Sequence, residues 1–193
     1  MMKDNVFINY PCDKNYEPIL HALMFTCIAL NLNPILAVID TFDSKRINNI
    51  RHCILNSTIS IHDLAIMGKR ENSRYNMPFE IGMAVMHHFQ CEKTGKKHSI
   101  IIMEPQRFST QKYCSDLNAF DPIYYNKKDG IEDLINKLSC SIIGIVGQKN
   151  NLKPYEVFNE FLKFQTYMHN KQLWDKYTLS SLREEMKKYL LET

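Results

Sequence analysis

Short, continuous apolar runs alternate with longer segments of helical periodicity over the first two thirds of the chain. Residues 34–39 (Pro-Ile-Leu-Ala-Val-Ile) and 98–103 (His-Ser-Ile-Ile-Ile-Met) lack polar/apolar alternation, as strands covered on both faces do. A strand over 6–10, closed by Pro11, and a nearly all-apolar helix over 16–30 precede the first of these runs, giving a βαβ opening. A helix over 43–56, with Ile47, Ile50, Ile54 and Leu55 at helical spacing, leads to a strand over 59–64. A further helix begins near Asn76, a short one starts within 113–117, and a short strand covers 123–125. Strands alternating with helices require a parallel sheet with right-handed crossovers.

Beyond Gly130 the pattern turns helical. Residues 131–146 read as a helix, although Ile142 to Val146 also suit a strand. A polar break over 147–151 is followed, after Pro154, by Val157, Phe158, Phe161, Leu162, Phe164 and Tyr167 at helical spacing and by an amphipathic last helix over 179–191. The expectation is an α/β domain over 1–147 with a helical extension over 148–193, whose aromatic residues pack on that domain or meet a second subunit.

With 193 residues, 45% of them hydrophobic, the chain can bury a substantial core. A net charge of +3, with basic and acidic residues interspersed, argues against a nucleic-acid stripe or a polybasic membrane patch. The six cysteines form no CxxC pair and no zinc-type spacing, which reads as reduced, mostly buried thiols in a cytoplasmic protein. No signal peptide is read at the start, and the longest apolar run, 19–30, is too short to span a bilayer.

The chemistry is concentrated in Ser60-Ile61-His62-Asp63-Leu64 and Arg74-Tyr75-Asn76-Met77-Pro78-Phe79-Glu80-Ile81-Gly82-Met83-Ala84. The first is a strand ending in His-Asp. The second reads as a helix with Asn76 as N-cap, Pro78 in the first turn and Glu80 in that same turn, where the dipole favours an anion; Gly82 and Ala84 let the helix pack closely on a sheet. Glu80 is then either a helix-stabilising charge or a functional carboxylate at the carboxyl edge of the sheet, where ligands of open α/β folds sit. His62 and Asp63, adjacent on a strand, point to opposite faces: Asp63 is expected toward a pocket, His62 toward a backbone carbonyl. His87 and His88 have no metal-ligand spacing, and no metal is expected. The polar loop 67–75, with Gly68, suits either a gate or a plain connector.

Together with Phe7-Ile8-Asn9-Tyr10-Pro11-Cys12-Asp13-Lys14-Asn15-Tyr16, these two motifs resemble a group of small bacterial proteins, and the resemblance covers most of the chain. That group in turn resembles two families with a flavodoxin-like sheet, Toll/interleukin-1 receptor (TIR) domains and nucleoside 2-deoxyribosyltransferases. The TIR resemblance implies a NAD-cleaving glutamate at Glu80, with Tyr10 and Asp13 at the end of the first strand; the Ser-x-Trp-Cys element of that family is absent, Ser73 and Tyr75 being approximate stand-ins. The deoxyribosyltransferase resemblance implies a nucleophilic glutamate in Glu-x-Gly-x-Ala, which Glu80-Ile81-Gly82-Met83-Ala84 matches.

Both families break an N-glycosidic bond through an oxocarbenium-like transition state that a carboxylate can stabilise or trap. On this reading Glu80 is catalytic, and Asn9, Tyr10, Asp13, Asp63, Arg74, Asn76 and Met77 form the substrate site, with no cofactor beyond NAD as substrate. The first expectation is a TIR-like NAD glycohydrolase or cyclase of antiphage defence, acting as a homo-oligomer and feeding a downstream effector. The second is a deoxyribosyltransferase-like nucleotide N-glycosidase, and the third a non-catalytic nucleotide-binding or assembly module.

Overall fold

Five strands pair in parallel in the order β2-β1-β3-β4-β5: β1 (Asn5–Asn9), β2 (Asn33–Ile35), β3 (Ile59–Asp63), β4 (Ser99–Glu104) and β5 (Ile123–Tyr124). The computed structural model describes residues 4–41, 43–65, 76–126, 130–147 and 152–192. The strand order is that of the flavodoxin-like doubly wound fold, with its topological switch between β1 and β3. The helices are α1 (Glu17–Ala29), α2 (Arg46–Leu55), α3 (Asn76–Thr94), α4 (Ser109–Tyr113), α5 (Gly130–Val146), α6 (Pro154–Asn170) and α7 (Leu179–Glu192). The expected α/β architecture with C-terminal helices is the one observed.

Alternation along the strands divides the core in two. Val6 and Ile8 of β1, Ile59 and Ile61 of β3, and Ile101 and Met103 of β4 join α1, α5, α6 and α7. Phe7, Ile100 and Ile102 join α2 and α3 on the other face. Helix α1 lies between the sheet and the C-terminal helices, so nearly every residue from Ile19 to Leu30 is buried, the condition under which a helix is apolar all round. Of the aromatic residues of α6, Phe161 and Phe164 face inward while Tyr155 is exposed: Phe161 and Phe164 each pack 5.4 Å from Phe25 of α1, and Phe164 meets Tyr189 of α7 at 5.3 Å. Residues 142–146 complete α5 rather than forming a strand.

Three details differ from the sequence expectation, each through a side chain. The apolar run at 34–39 forms strand only over Asn33–Ile35, because Leu36 N–H donates to Asp40 Oδ2 at 2.7 Å and the Leu36 carbonyl accepts from Ile39 and Asp40, making a turn. Arg183 of α7 fastens that turn, its Nη1 lying 2.8 and 2.7 Å from the two Asp40 oxygens and 3.1 Å from the Pro34 carbonyl. Helix α2 starts at Arg46 because the Asp43 carboxylate closes a local turn, accepting from Lys45 N–H and Asn48 Nδ2. The short helix expected to start within 113–117 is the 3-10 helix Ser115–Phe120, and α4 is an added turn before it, formed because the buried Glu104 carboxylate gathers the Phe108 and Thr110 N–H groups and the Ser109 hydroxyl at 2.7–3.0 Å.

Among the described residues, which include all six cysteines, there is no disulfide; Cys27, Cys53 and Cys91 are buried, Cys12 and Cys140 exposed, and Cys114 in between. The thiols are thus less uniformly buried than expected. No helix among the described residues is long and apolar enough to cross a membrane.

The Arg183 clamp carries the attachment of α7 to the β2 edge. Arg183→Met leaves a largely buried Asp40 without its cation and is expected to lower the unfolding free energy by about 1–3 kcal/mol, read from urea denaturation with unchanged slope.

Candidate active site at the carboxyl edge of the sheet

Asn9 ends β1 beside His62 in register, so the crevice at the β1/β3 switch opens directly beyond Asn9. A cavity of about 230 Å³ lies there, lined among others by Asn9, Tyr10, Cys12, Val38, Arg46 and Asn49. Arg46 is the first residue of α2, a place where the helix dipole disfavours a cation. Its partner explains the position: Nη1 lies 2.6 Å from Glu80 Oε1 on α3. Glu80 is only 1% exposed, whereas the Arg46 side chain is about half exposed at 53%. The second carboxylate oxygen, Oε2, is buried and has no hydrogen-bond partner among the described residues.

Glu80 does not sit in the first helical turn as expected. Helix α3 already includes Asn76, making Glu80 its fifth residue, so the guanidinium and not the helix N-terminus balances its charge. Gly82 is exposed, with open space around the position a Cβ would take, so it does not serve close packing on the sheet; Ala84 does face the core.

Asp63 points to the opposite face of the sheet from His62, as strand alternation requires, and is enclosed rather than open to the cavity. Its Oδ2 accepts from the Tyr16 hydroxyl at 2.5 Å and the Tyr125 hydroxyl at 2.6 Å. Burial and then the Asp63 charge push both tyrosine pKa values well above the ordinary range. The Tyr10 ring stacks on Tyr16 at 6.0 Å, linking this buried triad to the cavity wall, and burial raises the Tyr10 hydroxyl to about 12.

The other predicted residues separate. Asp13 is exposed and caps the short helix Lys14–Tyr16, accepting from Asn15 N–H at 2.9 Å. Asn76 is the exposed first residue of α3, and Met77 is buried in the core among neighbours that include Phe7 and Leu64. Arg74 and the loop 67–75, with Ser73 and Tyr75, lie outside the described residues. The structure therefore puts Asn9 and Tyr10 on one cavity, sets Glu80 behind Arg46 of its wall, and adds Arg46, Tyr16 and Tyr125, which sequence reasoning missed. Arg46 left one signal: an arginine opening a helix calls for an anion nearby.

His62 finds no carbonyl among the described residues. Nδ1 lies 3.1 Å from Asn9 Nδ2, and Nε2 lies 3.1 Å from Ser60 Oγ. Among the described residues, no cluster of three or more His, Cys, Asp or Glu side chains is arranged to hold a metal ion. Larger cavities lie at the amino ends of the strands around His88 and His98 (about 360 Å³) and beside β5 around Arg107 and Lys137 (about 680 Å³). Glu80 lines neither of these, and it meets the wall of the cavity beside Asn9 through Arg46; Glu104 at the second has both oxygens occupied by the α4 turn. Size does not track chemistry here.

No protein-family model and no curated protein matches the chain. Among solved structures it is similar to a 2-desoxiribosyltransferase from Leishmania mexicana, with a TM-score of 0.40 and 18% identity over 57% of this chain and 71% of that one.

Burial, and then His98 nearby, lowers the His62 pKa to about 3. The folded state therefore holds fewer protons than the unfolded chain between that value and about 6.5, so this contribution to stability is complete above about 6.5 and declines as the pH falls, by up to about 1.4 kcal/mol per unit. The His62 ring resonances are expected to stay fixed between about pH 7 and about pH 5, where an exposed imidazole titrates.

Proposed function

We propose that the chain cleaves the N-glycosidic bond of a nucleoside or nucleoside monophosphate, with Glu80 as the nucleophile or transition-state carboxylate. The observation that carries this reading is the Glu80 carboxylate itself: one oxygen is engaged by Arg46, while the other is buried and unpartnered at the carboxyl edge of the sheet. A buried acceptor left without a donor costs about 1–3 kcal/mol, which calls for an explanation, and an oxygen reserved for an anomeric carbon supplies one.

In the proposed step Oε2 bonds to C1′ as the bond to the base nitrogen breaks, the electron pair leaves with the base, and the base takes up a proton from solvent, which the attacking water or base nitrogen of the second step returns. Water or a second base nitrogen then attacks C1′ and releases the carboxylate, giving hydrolysis or transfer. Arg46 holds Oε1 and fixes the orientation of the group, and Asn9 and Tyr10 line the cavity. Asp63, bound by two tyrosine hydroxyls, acts on this reading through the position of Tyr16 and hence Tyr10 and does not touch the sugar.

The cavity of about 230 Å³ beside Asn9 and Tyr10 lies at the small end of ligand sites, which is consistent with a mononucleoside.

Purified wild type and Glu80→Gln are incubated with deoxynucleosides, nucleoside monophosphates and NAD, and base release is followed by chromatography. Wild type is expected to release a purine or pyrimidine, and Glu80→Gln to be slower by at least about a hundredfold. Equal rates for the two proteins would remove Glu80 from the mechanism, and release of nicotinamide alone would restore the NAD reading.

A further inference from the structure

An unbroken row of buried polar groups on the α2/α3 face ties the crevice to the opposite end of the sheet. Asn9 Nδ2 lies 3.1 Å from His62 Nδ1, His62 Nε2 lies 3.1 Å from Ser60 Oγ, and Ser60 Oγ lies 3.1 Å from His98 Nε2. The row ends where His98 Nδ1 meets the Ser57 carbonyl at 3.0 Å. All these residues are buried, His62 and Ser60 completely.

The carbonyl end sets the direction of every bond. A carbonyl only accepts, so His98 carries its proton on Nδ1 and presents a bare Nε2. The Ser60 hydroxyl gives its single proton to that nitrogen and accepts from His62 Nε2–H. His62 Nδ1 is then bare and accepts a hydrogen bond from an Asn9 amide N–H. The reverse arrangement would set a lone pair on His98 Nδ1 against the Ser57 carbonyl oxygen. Burial lowers the pKa of both imidazoles, keeping them in the neutral form the row requires.

Asn9 thus has one amide N–H committed to His62, which fixes the plane of the amide and turns its oxygen away from the row, on the side of the cavity that Asn9 lines. We propose that His62 is a positioning residue that, through Asn9, fixes an acceptor at the cavity wall, so that the site selects ligands presenting a hydrogen-bond donor there, a sugar hydroxyl or a base N–H. The ligand class rests on the nucleoside reading above; the orientation of the row does not. An asparagine free to turn would accept or donate equally and would not make this selection.

The relay is tested on the full chain labelled with nitrogen-15, using two-bond proton–nitrogen spectra. His62 is expected to show a bare Nδ1 and a protonated Nε2, and a protonated Nδ1 would overturn the proposal whether or not any nucleoside is turned over. Ser60→Ala then cuts the row while leaving Asn9 and Glu80 in place. It is expected to release the His62 tautomer and raise KM about fivefold or more, with kcat within about twofold. An unchanged KM with a released tautomer would make the row purely structural and overturn the positioning role. Methylation of the sugar 3′-hydroxyl or of the base N–H distinguishes the two donors: one of them is expected to weaken wild-type binding by about tenfold and Ser60→Ala much less. Equal losses in both proteins would overturn the selection.

Discussion

The parallel register of β1 on β3, with Phe7 against Ser60 and Asn9 against His62, is the constraint on which the rest of the molecule depends. Side chains alternate with a period of two, so this register decides which groups meet on which face. It sends Phe7, Ser60, His62 and Asn9 toward α2 and α3, and Val6, Ile8, Ile61 and Asp63 toward α1 and α5. A slip of one residue would exchange the two sets, placing Asp63 among the apolar side chains under α3 and breaking the polar row at His62.

Buried carboxylates are handled in three ways, and the differences bear on function. Glu104 is fully engaged by N–H and hydroxyl donors of its own turn, which makes it a scaffold group. Asp63 has two tyrosine hydroxyls on one oxygen, which fixes the position of Tyr16 and, through ring stacking, of Tyr10. Glu80 has a single cation on one oxygen and, among the described residues, no partner on the other. A charge removed from water is costly unless compensated, and of the three Glu80 is the one whose compensation comes from a half-exposed guanidinium that also lines the cavity at the carboxyl edge.

The alternation of buried strands and helices was legible because continuous apolar runs and helical periodicity are local signals, and each expected strand exists. The ends of elements were less so. Apolarity at 36–39 reflects burial, which a turn held by Asp40 and Arg183 satisfies as well as a strand does. Of the site, Glu80, Asn9 and Tyr10 were legible from their place at strand ends and a helix start. Arg46 was not, because its partner lies 34 positions away.

Sequence alone determined the period-two split of His62 from Asp63, the parallel α/β class and the apolar all-round character of α1, since each follows from the chain's own geometry and composition. Only the tertiary structure decided that the Glu80 charge is met by a guanidinium from α2, that Asp63 is enclosed by tyrosines from two distant segments, and that His62 bonds Asn9 and Ser60. Apart from His62 with Ser60, two positions away, these are pairings between residues distant in sequence, two of them with neutral partners. The partner of a buried polar group is fixed by which elements the sheet register brings together, information carried by no local stretch of the chain.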